Sequence, residues 1–543
     1  MLDDPNRFRF GLLRASRPRG FGVTLNSRGA GILMHPTSLP GVFGVGDLGA
    51  EADAFVAWAE AAGQSVWQVL PLGPTGPYHS PYVALSTFAG NPFLVSPRRM
   101  ADEGLLAAAE LEGAPRFPPG RAAYRRAIPW KEGLLRSSWG AFGRRAPREA
   151  QRDLEAFVTD PAQAGWLDDW ALFMAIRLRH DGRAWTDWEH DLHRREPAAL
   201  ERARRDLRGE IEFQKYLQFL FFRQWMRVKA EANRAGLSIL GDLPIYVAPD
   251  SADVWANQAL FRLDPEGRPV SVAGVPPDYF CDTGQRWGNP LYRWDRMEED
   301  GFAWWVARVE ANLRCCDLLR LDHFRGFAAY WEIPASELTA VNGRWEPGPG
   351  GKVFAAIRGA LGDLPLVAED LGLITPDVHE LRNALGLPGM RVLQFAFDGT
   401  DSWHLPRHHP ENAVVYTGTH DNDTTRGWFA ALDGEGRERV LDGVGSDSPI
   451  EWAMIRAAYG SPARLAVAPL QDVLGLGSKA RMNTPGRADG NWAWRASESA
   501  FDPARAERLR RLAEETERLP APAPPGGMHG AGPNSHGGTR SGP

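Results

Sequence analysis

Eight short apolar segments recur along this chain, and most of the stretches between them carry helical periodicity. They occupy residues 31–34, 65–70, 238–242, 318–322, 364–368, 390–397, 413–417 and 465–470. Short apolar runs of this length suit strands covered on both faces. Strands that alternate with helices call for parallel pairing through helical crossovers. Eight such units predict one α/β domain, a (β/α)8 barrel. Residues 98–237, where Ala, Arg, Glu and Leu dominate, are expected as a helical insertion between the second and third strands. Amphipathic runs stand out within it at 168–179 and 212–234. Residues 273–280 and 285–290 are rich in Pro and Gly and are expected as one long functional loop without regular structure. The barrel and its insertion account for 30–519, after an irregular Arg-bearing extension at 1–29. Residues 520–543, largely Pro, Gly, Ser and His, are expected to be a disordered tail.

Four of the expected strands end in, or just before, a carboxylate: Asp242, Asp322, Glu369 and Asp421. In a barrel of this kind the C-terminal strand ends converge on one face. Four carboxylates gathered there repel one another unless they are protonated, paired or bound to a metal. Two chemistries fit. In the first they ligate a metal together with His323 and His420. Each His is the direct neighbour of an Asp, however, and neighbours on an extended strand face opposite ways. In the second they act on a glycosidic bond, and this reading uses more of the residues.

A retaining mechanism of that kind needs one ionised nucleophile and one protonated acid. Arg320 and Asp322 lie two apart, so on a strand they share a face, and the cation favours an ionised Asp322. Glu369 follows Leu366-Val367-Ala368, where an apolar strand end and neighbouring carboxylates raise its pKa. Asp421 is then free to stabilise an oxocarbenium-like transition state or to hold sugar hydroxyls. The bland alternative for each acid is a structural ion pair at a strand end.

Composition closes off other classes. A formal net charge of −6 leaves no basic footprint for nucleic acid. No apolar run approaches the roughly 18 residues of a membrane span. The three cysteines, Cys281, Cys315 and Cys316, give neither a disulfide framework nor zinc spacing. The expectation is a cytoplasmic protein that contacts neither membrane nor nucleic acid. Twenty-one Trp is a heavy use of that residue; aromatic faces suit sugars, although core packing accounts for most tryptophans.

Three blocks make the resemblance to a known family specific. They are Arg320-Leu321-Asp322-His323-Phe324-Arg325-Gly326, Ala368-Glu369-Asp370-Leu371-Gly372, and Tyr416-Thr417-Gly418-Thr419-His420-Asp421-Asn422-Asp423-Thr424. In this order they resemble the signature blocks of the amylomaltase, or 4-α-glucanotransferase, family, relatives of the α-amylases. Residues 274–280, 285–291, 80–82 and 88–92 resemble further blocks of the same family.

The resemblance implies Asp322 as nucleophile, Glu369 as general acid/base and Asp421 as transition-state stabiliser. It implies that Arg320, His323, His420 and Asp242 line the donor subsite. Tyr82 and the loop bearing Asp278, Gln285 and Trp287 would line the acceptor side, with Asn483 facing it across the groove. It further implies no metal or organic cofactor, a maltodextrin or other α-1,4-glucan as donor, and glucose or maltodextrin as acceptor. An α-glucan hydrolase is the nearest rival, because transfer and hydrolysis share the covalent intermediate. A glucan-binding barrel without activity is the rival from another class. The stretch Pro77-Tyr78-His79 and the pair Cys281-Asp282 depart from the usual family pattern.

Overall fold

In a computed structural model, residues 27–277 and 281–520 are described. Most of the expected leader, nearly all of the expected tail and Asp278 lie outside the described residues. Twelve strands follow in chain order: β1 (Gly29–Leu33), β2 (Val66–Gln68), β3 (Ser238–Pro244), β4 (Ser271–Val275), β5 (Gln285–Pro290), β6 (Leu318–Asp322), β7 (Ala329–Pro334), β8 (Arg344–Pro347), β9 (Leu366–Ala368), β10 (Gly389–Val392), β11 (Ala413–Tyr416) and β12 (Leu465–Pro469).

Eight of them form one parallel sheet in the order β10-β11-β12-β1-β2-β3-β6-β9. The Ala368 N–H donates to the Pro388 carbonyl just before β10, at 2.9 Å, and brings the sheet close to closure. Strands such as β11 and β12 are buried at every residue. Helices cover the outer face and side chains fill the inner one, so the sequence shows runs rather than alternation. The sixth expected strand is shorter than its apolar run: β10 stops at Val392, and Leu393–Phe395 is a single helical turn.

Between β2 and β3 the chain is helical, ending in the long helix Arg208–Arg234, which packs on the helix Leu167–Arg179. Two glutamines of the long helix treat the loop after β2 as a strand partner. Gln218 accepts from Gly90 N–H (2.8 Å) and donates to its carbonyl (3.0 Å), and Gln224 does the same with Ser96. The approach is tight enough to require glycine, since a Cβ on Gly90 would lie 1.9 Å from the Phe221 ring. The insertion thereby anchors the loop that presents Tyr82. Among the described residues no helix is long and apolar enough to cross a membrane.

The expected loop at 273–280 and 285–290 is corrected by the structure over its described residues. β4 and β5 belong to a four-stranded antiparallel sheet, in the order β5-β4-β7-β8. The Pro and Gly residues mark its ends and its bulge rather than breaking it. The register shifts between Val272 and Gly274, and a Cβ on Gly274 would meet the Gln285 carbonyl oxygen at 2.1 Å.

At the opposite end of the barrel from the carboxylates, Arg518 is fully buried. Its guanidinium donates to the carbonyls of Gly29, Tyr459, Ser461, Ala463 and Arg464. It thus pins the chain after the helix Pro503–Glu515 to the starts of β1 and β12. Arg518→Met removes this donor; the Tyr459 and Ser461 carbonyls keep Arg28 and the Arg464 carbonyl keeps the Gly29 N–H, and each carbonyl left orphaned costs about 1–3 kcal/mol. A loss of roughly 3–5 kcal/mol in urea unfolding is expected; an unchanged midpoint would show that water replaces the guanidinium at no cost.

Candidate active site

The site begins with one guanidinium between two strands. In the β3–β6 register Arg320 faces Asp242, and Pro244 faces Asp322. Arg320 Nη1 lies 2.8 Å from both oxygens of Asp242, and Nη2 lies 2.8 Å from Asp322 Oδ1. The two carboxylates differ in access: the Asp242 side chain is 0 % exposed and that of Asp322 is 27 % exposed. Asp242 is also filled, since the Tyr82 hydroxyl donates to its Oδ2 at 2.6 Å. It therefore holds the cation in place, while Asp322, oriented by the same guanidinium, is the carboxylate left partly exposed. The backbone at Asp242 is packed closely as well, because a Cβ on Gly241 would lie 2.4 Å from Cys316 Sγ.

Beyond Asp322 the strand stops abruptly. His323 has φ +55°, a left-handed conformation that turns the chain away from β6. The turn aims its N–H at Glu369 Oε2, 2.6 Å away. Glu369 follows β9, the neighbour of β6, and its Oε1 accepts from Leu371 N–H at 2.9 Å. Two backbone donors thus grip both oxygens of a carboxyl that is only 9 % exposed. Burial pushes its pKa up to about 7; Arg320 and the two amides oppose this, and the nearby Asp322 reinforces it. The His323 imidazole is pushed down to about 4 by burial, against the pull of Asp322, and is neutral at pH 7.

The third acid stands on a loop rather than a strand. Asp421 lies in the turn after β11, where Thr419 N–H and Oγ1 both donate to Asn422 Oδ1. Asp421 Oδ1 accepts from Asn483 Nδ2 at 2.6 Å and lies 3.4 Å from His420 Nε2. The His420 ring stacks on Tyr82 with centroids 5.0 Å apart, joining the Asp421 side of the mouth to the Asp242 side. Burial and the charges of Asp242, Asp322 and Asp421 keep the Tyr82 hydroxyl protonated.

The antiparallel sheet reaches the same place. Trp287 on β5 sets its ring against the His323 ring, centroids 4.7 Å apart, and its Nε1 donates to Gln285 Oε1 at 3.1 Å. Trp287 remains 38 % exposed, which leaves ring surface available to a ligand.

Two sets of contacts, joined through the chain at Asp322-His323, thus gather Tyr82, Asp242, Arg320, Asp322, His420, Asp421 and Asn483 on one side and Gln285, Trp287, His323 and Glu369 on the other. Some contacts cross the donor and acceptor groupings expected from the sequence. Tyr82 touches Asp242 and His420, Trp287 touches His323, and Asn483 holds Asp421 directly. Among the described residues no three of His, Cys, Asp or Glu gather as metal ligands would.

The residue-level reading missed Arg481 and Trp492, which both touch the first of these sets. Arg481 stands one residue before the Met482-Asn483-Thr484-Pro485-Gly486 loop. Its adjacency to that loop was the available signal.

With this geometry in hand, comparison with known proteins places the chain. A family model described as 4-alpha-glucanotransferase matches residues 34–500. The chain belongs to that family. The 4-alpha-glucanotransferase of Thermus thermophilus is 51 % identical over 502 residues, covering 91 % of this chain and 99 % of the relative. The enzyme is equally similar to the 4-alpha-glucanotransferase of a Synechocystis strain, 51 % identical over 477 residues, which covers 87 % of this chain and 94 % of the relative. Among solved structures, an amylomaltase from Streptococcus agalactiae in complex with acarbose superposes with a TM-score of 0.87 at 36 % identity, covering 91 % of this enzyme and all of that chain.

Proposed function

We propose that this glucanotransferase moves α-1,4-glucan segments between maltodextrins by a retaining double displacement through a glucosyl ester on Asp322. An Asp322 oxygen bonds to the anomeric carbon as the bond from that carbon to the glycosidic oxygen breaks. Glu369 gives its proton to that oxygen, and the shortened glucan leaves with a new 4-hydroxyl. In the second half the ionised Glu369 takes the proton from the 4-hydroxyl of an acceptor, glucose or maltodextrin. That oxygen displaces Asp322 and restores the α linkage. Asp421 faces the positive charge that develops on the ring in both steps.

One observation carries this reading: neighbouring acids in opposed environments. Asp322 is paired with Arg320 and open to the cleft, while Glu369 is buried and raised to about 7. The acarbose held by the solved Streptococcus relative supports an α-glucan ligand for this cleft. The sparse cysteines support a cytoplasmic setting.

Pure maltotriose tests transfer. A ladder of longer and shorter maltodextrins is expected, whereas maltose and glucose alone would indicate hydrolysis and overturn the proposal. The pH dependence tests the acid. Glu369 must carry its proton to act on the donor, and that protonated fraction is lost as pH rises through about 7. The alkaline limb of kcat/KM should therefore be half-maximal near that value and fall tenfold per pH unit beyond it. A flat profile up to pH 9 would remove Glu369 from the acid role.

A further inference from the structure

We infer that Arg481 is a positioning residue for Asp421, coupling the seating of the 482–492 loop to the transition-state stabiliser. The inference rests on the role proposed above for Asp421. Unlike Asp322 and Glu369, Asp421 is fixed neither by a strand nor by burial, and its side chain is 46 % exposed. Its carboxylate depends on Asn483, a residue of another loop. The guanidinium of Arg481 joins the two. Its Nη2 donates to the Asp421 carbonyl at 2.6 Å, and its Nε donates to the Asn483 carbonyl at 2.7 Å. The Asn483 N–H completes the junction by donating to the His420 carbonyl at 3.1 Å. One planar fork thus sets the spacing between the acid's backbone and the backbone of the amide that orients it.

The loop behind this fork is a closed unit. Trp492 N–H donates to the Met482 carbonyl at 2.8 Å, and the Asn491 side chain satisfies Thr484 and Arg487 from inside. Trp492 is held left-handed at φ +59°, a conformation that costs a non-glycine residue energy and persists only where its surroundings enforce it. Its ring lies 5.9 Å from Tyr82 and 6.0 Å from His420, centroid to centroid. The loop therefore rests on the site at two places: at Asp421 through Arg481 and Asn483, and at the Tyr82–His420 stack through Trp492. If the loop lifts, the carboxylate loses the amide that orients it.

The test compares Arg481→Gln and Arg481→Lys with the unaltered enzyme on maltotriose, alone and in an Asp421→Asn background. A misplacement of about 1 Å costs up to roughly 100-fold. Arg481→Gln should lower kcat by about 10–100-fold while KM stays within about threefold. Arg481→Lys, which keeps the charge but loses the fork, should fall between the two. In the Asp421→Asn background Arg481→Gln should have almost no further effect on kcat, because the group it positions is already gone. Full additivity of the two changes, or an effect confined to KM, would overturn the inference while leaving the role of Asp421 intact. An Asp421→Asn enzyme with normal kcat would overturn both.

Discussion

Asp322→Asn is expected to lower the kcat of glucan transfer by roughly 10⁴-fold or more, in the range seen when a nucleophile is removed. The exchange is nearly isosteric and the residue closes β6, so the fold should tolerate it. Arg320 keeps its two contacts to Asp242 and remains in place. The amide is a poor nucleophile and does not form the ester, yet Trp287, His323 and Tyr82 still present their surfaces to a sugar chain. Calorimetry with a maltodextrin should therefore show binding within a few-fold of the unaltered enzyme. Activity retained in the Asn variant would refute Asp322 as the nucleophile. Loss of both binding and activity would instead point to a structural role for its pair with Arg320.

Glu369→Gln should separate the two half-reactions. With maltodextrin as donor the leaving oxygen requires a proton, and loss of a positioned acid typically costs about 10²–10⁴-fold. An α-maltosyl fluoride donor does not need that proton, because fluoride leaves unaided. Asp322 should still attack, the bond from carbon to fluorine should break, and the ester should form. Without a base to activate the acceptor the ester should then persist. The expected result is a burst of about one fluoride per site followed by slow turnover, with a maltosyl adduct on the enzyme visible by mass spectrometry. Fluoride release without any burst or adduct would exclude the assigned division of labour. Each oxygen of Glu369 already accepts from one backbone amide, so the proton must occupy a remaining lone pair.

Much of this molecule was legible in its residues. The apolar runs located all eight barrel strands, because a strand covered on both faces leaves no polar alternation to confuse it. The spacing of Arg320 and Asp322 indicated a shared face, and the structure places them 2.8 Å apart. The apolar approach to Glu369 indicated a raised pKa, and burial is its largest cause. The antiparallel sheet was not legible. Its strands are short and are interrupted or ended by Pro and Gly, and they are held by neighbours up to about 60 residues away, as in the pairing of β4 with β7. Local pattern carries no record of such partners.

The sequence by itself determined the barrel, the acids at its strand ends and the family, because hydrophobic period and residue order are local properties of the chain. Only the tertiary structure decided how each acid is held. The full burial of Asp242, the two amides on Glu369 and the grip of Asn483 and Arg481 on Asp421 all join residues distant in sequence. Protonation state and orientation depend on those distant contacts, since they are set by desolvation and by the charges and donors within a few ångströms.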